Sequence, residues 1–129
     1  MSKATLSVII VNYNGGRMVR ECLEHLWPQL ENGWEALLVD NASTDGSADG
    51  LEEAYPGLSV IRNARNVGFA SANNQAMRLA AGAYVLLLNP DVSITPGALA
   101  TALAYLEAHP GVSILGPKVL LPGGRMDPA

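Results

Sequence analysis

The chain has 129 residues, 49% of them hydrophobic and 16% charged, the composition of one folded domain of ordinary size rather than a disordered segment. Eight basic against twelve acidic residues leave a net charge of −4, which argues against a broad electrostatic footprint for nucleic acid or an anionic membrane. The lone Cys22 excludes a disulfide framework and a cysteine zinc site; it reads as a small buried apolar residue in a reducing, cytosolic compartment.

Leu6 to Val11 is β-branched and nearly continuous, the profile of a strand buried on both faces. It is too short for a secretory core or a membrane span, so the chain is expected to carry no leader. Met18, Cys22, Leu23, Leu26, Trp27 and Leu30 recur at three- and four-residue steps, placing an apolar stripe on a helix from about Gly16 to Leu30 whose last turn Pro28 bends. Trp34 to Val39 reads as the second strand. Ala42 to Gly46 offers N-cap chemistry, with Asp45 as a cap, for a short helix through Tyr55 that Pro56-Gly57 stops. Leu58 to Arg62 is a third strand, Phe69 to Ala81 a helix of small residues ending at Gly82, and Ala83 to Leu88 a fourth strand. Thr95 as N-cap and Pro96 at the first helical position open another helix, apolar at Leu99, Leu103 and Leu106. Val112 to Leu115 and Val119 to Leu121 are short extended segments.

This alternation predicts an α/β fold, a Rossmann-like, mostly parallel sheet with helices on both faces. Ligands of such sheets bind at the carboxyl ends of the strands, here the loops 12–17, 40–46, 63–74 and 89–95. Asn14-Gly15-Gly16-Arg17 is not the G-x-G-x-x-G of a dinucleotide site, and neither a P-loop nor a G-x-S-x-G elbow occurs. His25 and His109 read as solvated helix-surface residues.

Four motifs stand in order in those loops: Val8-Ile9-Ile10-Val11-Asn12-Tyr13-Asn14, Val39-Asp40-Asn41-Ala42-Ser43-Thr44-Asp45-Gly46-Ser47, Arg65-Asn66-Val67-Gly68-Phe69-Ala70 with Asn73, and Leu87-Leu88-Asn89-Pro90-Asp91. Together they resemble the family 2 nucleotide-sugar glycosyltransferases of the GT-A fold, most closely the rhamnosyltransferase-like branch. The resemblance runs from Leu6 to Met126. It implies nucleotide-sugar binding by Val11, Tyr13, Asn14, Asp40, Asn66, Gly68, Asn73 and Asn89, with a metal at Asp91.

In families of this kind the acid at Asp40 binds the base. A carboxylate only accepts hydrogen bonds, so it matches the imide N–H of uracil or thymine and rejects cytosine, whose N3 is an acceptor. Tyr13 offers a flat face for stacking. Gly68 suits a positive φ or a close approach, and a helix starting at Phe69 lends partial positive charge to a diphosphate. Arg65 reads equally as a phosphate partner and as a solvated arginine. Asn89-Pro90-Asp91 stands where the family has its D-x-D, and Asp91 is a hard ligand for Mg²⁺ or Mn²⁺ bridging the phosphates. With Asn89 in place of the first acid, metal is expected to bind mainly with the donor.

A general base for the acceptor hydroxyl is not found. Glu107 and Asp127 do not match the family's position, which lies in a downstream acceptor-binding half. Residues 1–129 are therefore expected to be a single domain, the truncated N-terminal donor portion of a larger enzyme and inactive alone. That enzyme would use a dTDP- or UDP-sugar and a glycan or lipid-linked acceptor in cell-wall or polysaccharide biosynthesis, in the cytoplasm or at the inner face of the membrane. The cut sheet edge suggests a homodimer. A non-catalytic nucleotide-binding or assembly module is the alternative.

Overall fold

The structure is a computed structural model and describes residues 5–118, 120–121 and 124–125. By internal packing the chain divides into two compact units, Met1–Pro96 and Gly97–Ala129.

The first unit is built on four parallel strands, β1 (Leu6–Asn12), β2 (Glu35–Asp40), β3 (Ser59–Arg62) and β4 (Tyr84–Leu88), in the order β3-β2-β1-β4. Between them run α1 (Met18–Leu26), α2 (Leu51–Ala54) and α3 (Phe69–Leu79). The chain steps from β1 outward to β2 and β3, then crosses back to β4 on the far side of β1. Right-handed crossovers therefore place α1 and α2 on one face and α3 on the other. The reversal between β1 and β4 is the point at which open α/β sheets bind ligands.

Side chains alternate across the sheet. Ile9, Val11, Leu37 and Val39 form a core with Ala72 and Ala76 of α3, and Ile61 and Val67 border it. The two alanines let α3 lie close to the strands. On the other face Val8, Ile10 and Leu38 are fully buried, as is the α1 stripe Val19, Leu23 and Leu26. Each such branched side chain contributes about 1.5–3 kcal/mol of transfer free energy. β4 is an edge strand, and its Val85 and Leu87, 42% and 48% exposed, lie on the α3 face beyond that helix.

Several local expectations are corrected. Met18 is exposed and Val19 takes its place in the α1 stripe. The helix ends at Leu26 and Trp27–Gln29 tightens to a 3₁₀ turn containing Pro28. Asp45 does not cap α2, which starts later, after Gly50 in the left-handed region. Gly82 is not a helix cap: α3 stops at Leu79, and a Cβ on Gly82 would stand 2.6 Å from the Ser7 nitrogen. The glycine is required by that close approach to β1.

In the second unit α4 spans Ala98–Ala108, led by Gly97 in the left-handed region rather than by Thr95, with Leu99 and Leu103 buried. Val112 to Leu115 forms no strand, and Leu120 makes an isolated bridge. Val119 lies outside the described residues, as does Asp127. No helix among the described residues is long and apolar enough to cross a membrane.

Candidate functional site

The last rung of the sheet aligns Asn12, Asp40 and Arg62 across β1, β2 and β3, on the face opposite α3. Asn12 is fully buried and Asp40 is 6% exposed. Asn12 Nδ2 donates to Asp40 Oδ1 (3.0 Å), Ser47 Oγ (2.9 Å) and Ser43 Oγ (3.3 Å). Ser43 donates its hydroxyl to Asp40 Oδ1 (2.6 Å) and its backbone N–H to Oδ2 (3.1 Å). The carboxylate is thus fixed by donors alone. On its other flank Arg62 pairs with Glu52 through both guanidinium nitrogens (2.6 and 2.8 Å) and donates to the Ala48 carbonyl (3.0 Å). The Arg62 hydrogen bond, ahead of backbone bonding and charge attraction, pulls the Glu52 carboxyl down to about 2.

The next rung faces α3. Asn41, 2% exposed, donates to the Gly68 carbonyl (3.2 Å) and accepts from Asn63 Nδ2 (3.0 Å) and the Val67 N–H (3.4 Å). Asn63 and Gln75 exchange amide hydrogen bonds at 2.8 and 2.9 Å. Two consecutive residues of β2's end thus anchor different loops on opposite faces of the sheet. Beside this edge opens a cavity of about 360 Å³ lined by Asp40, Ala42, Ser43, Thr44, Arg62 and Asn63 among others, within the range of small-molecule sites.

The remaining residues named from sequence sit around this edge. Tyr13 is 54% exposed. Asn14, at φ 50°, accepts the Thr44 N–H (2.7 Å) and gives its own N–H to Ser43 Oγ, tying the first loop to the second. Asp45 does similar work from the second loop, accepting Gly16 N–H and Ser47 N–H at 2.9 Å each; hydrogen bonding by the Ser47 side chain first, and then by these backbone groups, lowers its pKa. The Val11 side chain lies in the α3 core, leaving only its backbone near the edge. Gly68 takes φ 90° with nothing within 4 Å of a Cβ, so its conformation and not crowding selects glycine. Asn66 Oδ1 accepts the Gly68 N–H (2.9 Å) and the buried Asn73 donates to the Phe69 carbonyl (3.1 Å).

The end of β4 is built differently. Asn89 and Asp91 are exposed, and no hydrogen bond or ion pair joins either side chain to another described residue. Beneath them Cys22 Sγ lies 3.8 Å from the Asn89 carbonyl, its thiol pushed up to about 11 by burial and then by the Asp91 charge. Among the described residues no three acids, histidines or cysteines cluster to hold a metal alone. Asp91 with Asn89 fits a hard cation that takes its other oxygens from phosphate and water. His25 and His109 are exposed, each bonded to a carbonyl of its own helix.

Sequence reasoning missed Asn12, Asn41, Ser43, Arg62 and Asn63 as site residues. The available signal was that three successive apolar runs each end in a polar residue or pair: Asn12, Asp40-Asn41 and Arg62-Asn63.

The family model described as glycosyl transferase family 2 matches residues 7–120. An N-acetylglucosaminyl-diphospho-decaprenol L-rhamnosyltransferase of Mycobacterium tuberculosis is 29% identical over 135 residues, covering 96% of this chain and 44% of that protein. A putative glycosyltransferase of Bacillus subtilis, EpsE, is 30% identical, covering 90% of this chain and 43% of that protein. The Pyrobaculum calidifontis mannosyltransferase PcManGT, solved with GDP-Man and Mn²⁺, superposes with a TM-score of 0.76 at 28% identity, over 81% of this chain and 33% of that one. S. aureus TarS 1-349 with UDP-GlcNAc superposes at 0.75 and 25% identity, over 93% of this chain and 41% of that one. The chain thus spans under half the length of these relatives. With its parallel sheet and helices matching these GT-A structures, the chain belongs to glycosyl transferase family 2.

Proposed function

We propose that this chain is the donor-binding portion of a glycosyltransferase that moves a sugar from a nucleoside diphosphate to a glycan or lipid-linked acceptor, in the cytoplasm or at the inner face of the membrane. The observation that carries this reading is Asp40, a nearly buried carboxylate fixed by donors and lining a nucleoside-sized cavity. Such a group pairs with a base N–H and leaves an acceptor at that position unpaired. Uracil and thymine fit it, and the Mycobacterium relative favours rhamnose as the sugar, carried on dTDP or UDP.

Tyr13 stacks on the base. Val11 contributes through its backbone, and Asn14 by holding Thr44 at the cavity wall. Asn66, Gly68 and Asn73 shape the start of α3 beside the sugar-phosphate. Asn89 and Asp91 would hold Mg²⁺ or Mn²⁺ together with the phosphates. When bound, the metal neutralises the departing nucleoside diphosphate. No catalytic base is assigned, so this chain alone binds donor without transferring it. The homodimer would form through the β4 edge, which no other strand among the described residues pairs and which carries Val85 and Leu87.

Calorimetric titration with UDP, dTDP and GDP, with and without Mn²⁺, tests the reading. UDP and dTDP should bind, and Mn²⁺ should tighten both, with GDP as the purine comparison. A folded protein that binds none of them sinks the donor site. Binding indifferent to Mn²⁺ favours a non-catalytic nucleotide module.

A further inference from the structure

We propose that Asn12 is a specificity-determining positioning residue: by holding Asp40 Oδ1 it presents Oδ2 to the cavity as an acceptor and makes the site select an imide base over cytosine. This rests on reading Asp40 as the base partner, and it adds a residue that touches no base itself.

Asn12 is the residue beside Asp40 on the last rung, 0% exposed. Its Nδ2 faces three acceptors, Asp40 Oδ1, Ser43 Oγ and Ser47 Oγ. Its Oδ1 is buried with no hydrogen-bond partner, and no other side-chain nitrogen or oxygen is so placed among the described residues. An orphaned buried acceptor is rare in folded proteins and asks for a reason. Turning the amide over would set its oxygen against the Asp40 carboxylate, a repulsion between acceptors. The fold therefore leaves Oδ1 unpaired so that Nδ2 stays on Asp40.

The neighbouring chain enforces that choice. A Cβ on Gly15 would stand 2.3 Å from Asn12 Oδ1, so glycine there leaves room for the amide. With Oδ1 of Asp40 saturated by Asn12 and the Ser43 hydroxyl, Oδ2 accepts only the Ser43 N–H. One acceptor direction remains on a carboxylate that lines the cavity. Asn12 also supplies a donor rather than a second acceptor, so nothing on that side pushes Oδ1 away and the carboxylate keeps one orientation.

Two variants separate this role from simple support. Asn12→Asp keeps the shape but replaces the amide donor with a second carboxylate facing Asp40 Oδ1, and the repulsion between two like charges about 3 Å apart swings the Asp40 carboxylate away from the position in which Oδ2 faces the cavity. Gly15→Ala keeps Asn12 but drives its amide off Asp40. Titrating the wild type and both variants with UDP and CDP reads the ratio of the two affinities, with circular dichroism confirming that each is folded. The UDP-over-CDP preference should fall by about tenfold in Asn12→Asp and in the same direction in Gly15→Ala, with CDP losing less than UDP. Should Asn12→Asp not fold, Gly15→Ala carries the test. An unchanged ratio in the folded variants overturns the role of Asn12 while leaving Asp40 as the base partner, even if both affinities drop. A wild type that binds UDP and CDP alike, or neither, overturns the reading of Asp40 and this inference with it.

Discussion

At the end of β2 the side chains of Asp40 and Asn41 are buried and committed, the first to Asn12 and Ser43, the second to Asn63 and the Gly68 loop. At the end of β4 the side chains of Asn89 and Asp91 are exposed and join no described residue by hydrogen bond or ion pair. Both edges belong to the same sheet, but β2 is buried along nearly its whole length while β4, at the sheet's edge, exposes Val85 and Leu87. Strand position supplies part of the contrast and the proposed ligand the rest. A flat base is recognised by groups fixed in advance, because a rotamer already frozen in the free protein takes nothing from the affinity when the base binds. A cation bridging phosphates takes most of its ligands from the donor and from water, so its carboxylate gains nothing by being held in place beforehand.

Removing the most committed group should produce the largest effect. Asn41→Ala takes the donor from the Gly68 carbonyl and the acceptor from Asn63 and Val67, and it leaves a small void against α3. A loss of about 2 kcal/mol is expected, in line with breaking a buried side-chain network. Urea unfolding measures it, and amide exchange should rise across residues 63–68 before the central strands. A loss under about 0.5 kcal/mol, the scale of an ordinary surface change, would erase the distinction between the two edges.

Asp91→Ala sharpens the other side of the comparison. Stability should move by no more than about 0.5 kcal/mol, since an exposed side chain without partners among the described residues is removed. The tightening of UDP binding by Mn²⁺ should vanish in the same variant. Unfolding at a much lower urea concentration would mean that Asp91 is structural after all. Persistence of the Mn²⁺ effect would move the metal elsewhere.

The unequal legibility of the two edges has the same origin. Strand and helix order follows from local periodicity, and it placed all four loops and the face-to-face burial of Ile9, Ile10, Leu37 and Leu38. Asp40 and Asp91 were singled out through the motifs that carry the family resemblance, and the structure puts Asp40 at the buried end of β2 and Asp91 in the exposed loop after β4. Asn12, Asn41, Asn63 and Gln75 were not legible: their roles depend on contacts between residues 12 to 35 positions apart, and an amide at a strand end has the same local signature as an amide in a turn. Val11 shows the converse case. It belongs to the first motif, yet strand alternation turns its side chain into the α3 core. The caps of α2 and α4 were misplaced because Gly50 and Gly97 enter their helices from the left-handed region, where the preceding Asp45 and Thr95 had the better capping chemistry.

The smallest expected effect concerns the third residue of the last rung, and it asks whether Arg62 is held by its ion pair or by β3 alone. Glu52 lies well below its ordinary value of 4.5, at about 2, because Arg62 donates to it. A carboxylate depressed in the folded state stabilises above its ordinary pKa, and that contribution disappears as the pH falls toward the folded value. Wild type and Glu52→Gln should therefore differ in Tm above about pH 5 and converge toward pH 2. Both side chains are substantially exposed, at 46% for Arg62 and 40% for Glu52, so the gap should be small and should narrow further in about 1 M salt. Two melting curves that stay parallel from pH 6 to pH 2 would show that the pair adds no stability. Arg62 would then stand at the cavity wall because the strand puts it there, and the preorganised part of the nucleoside edge would end at Asp40.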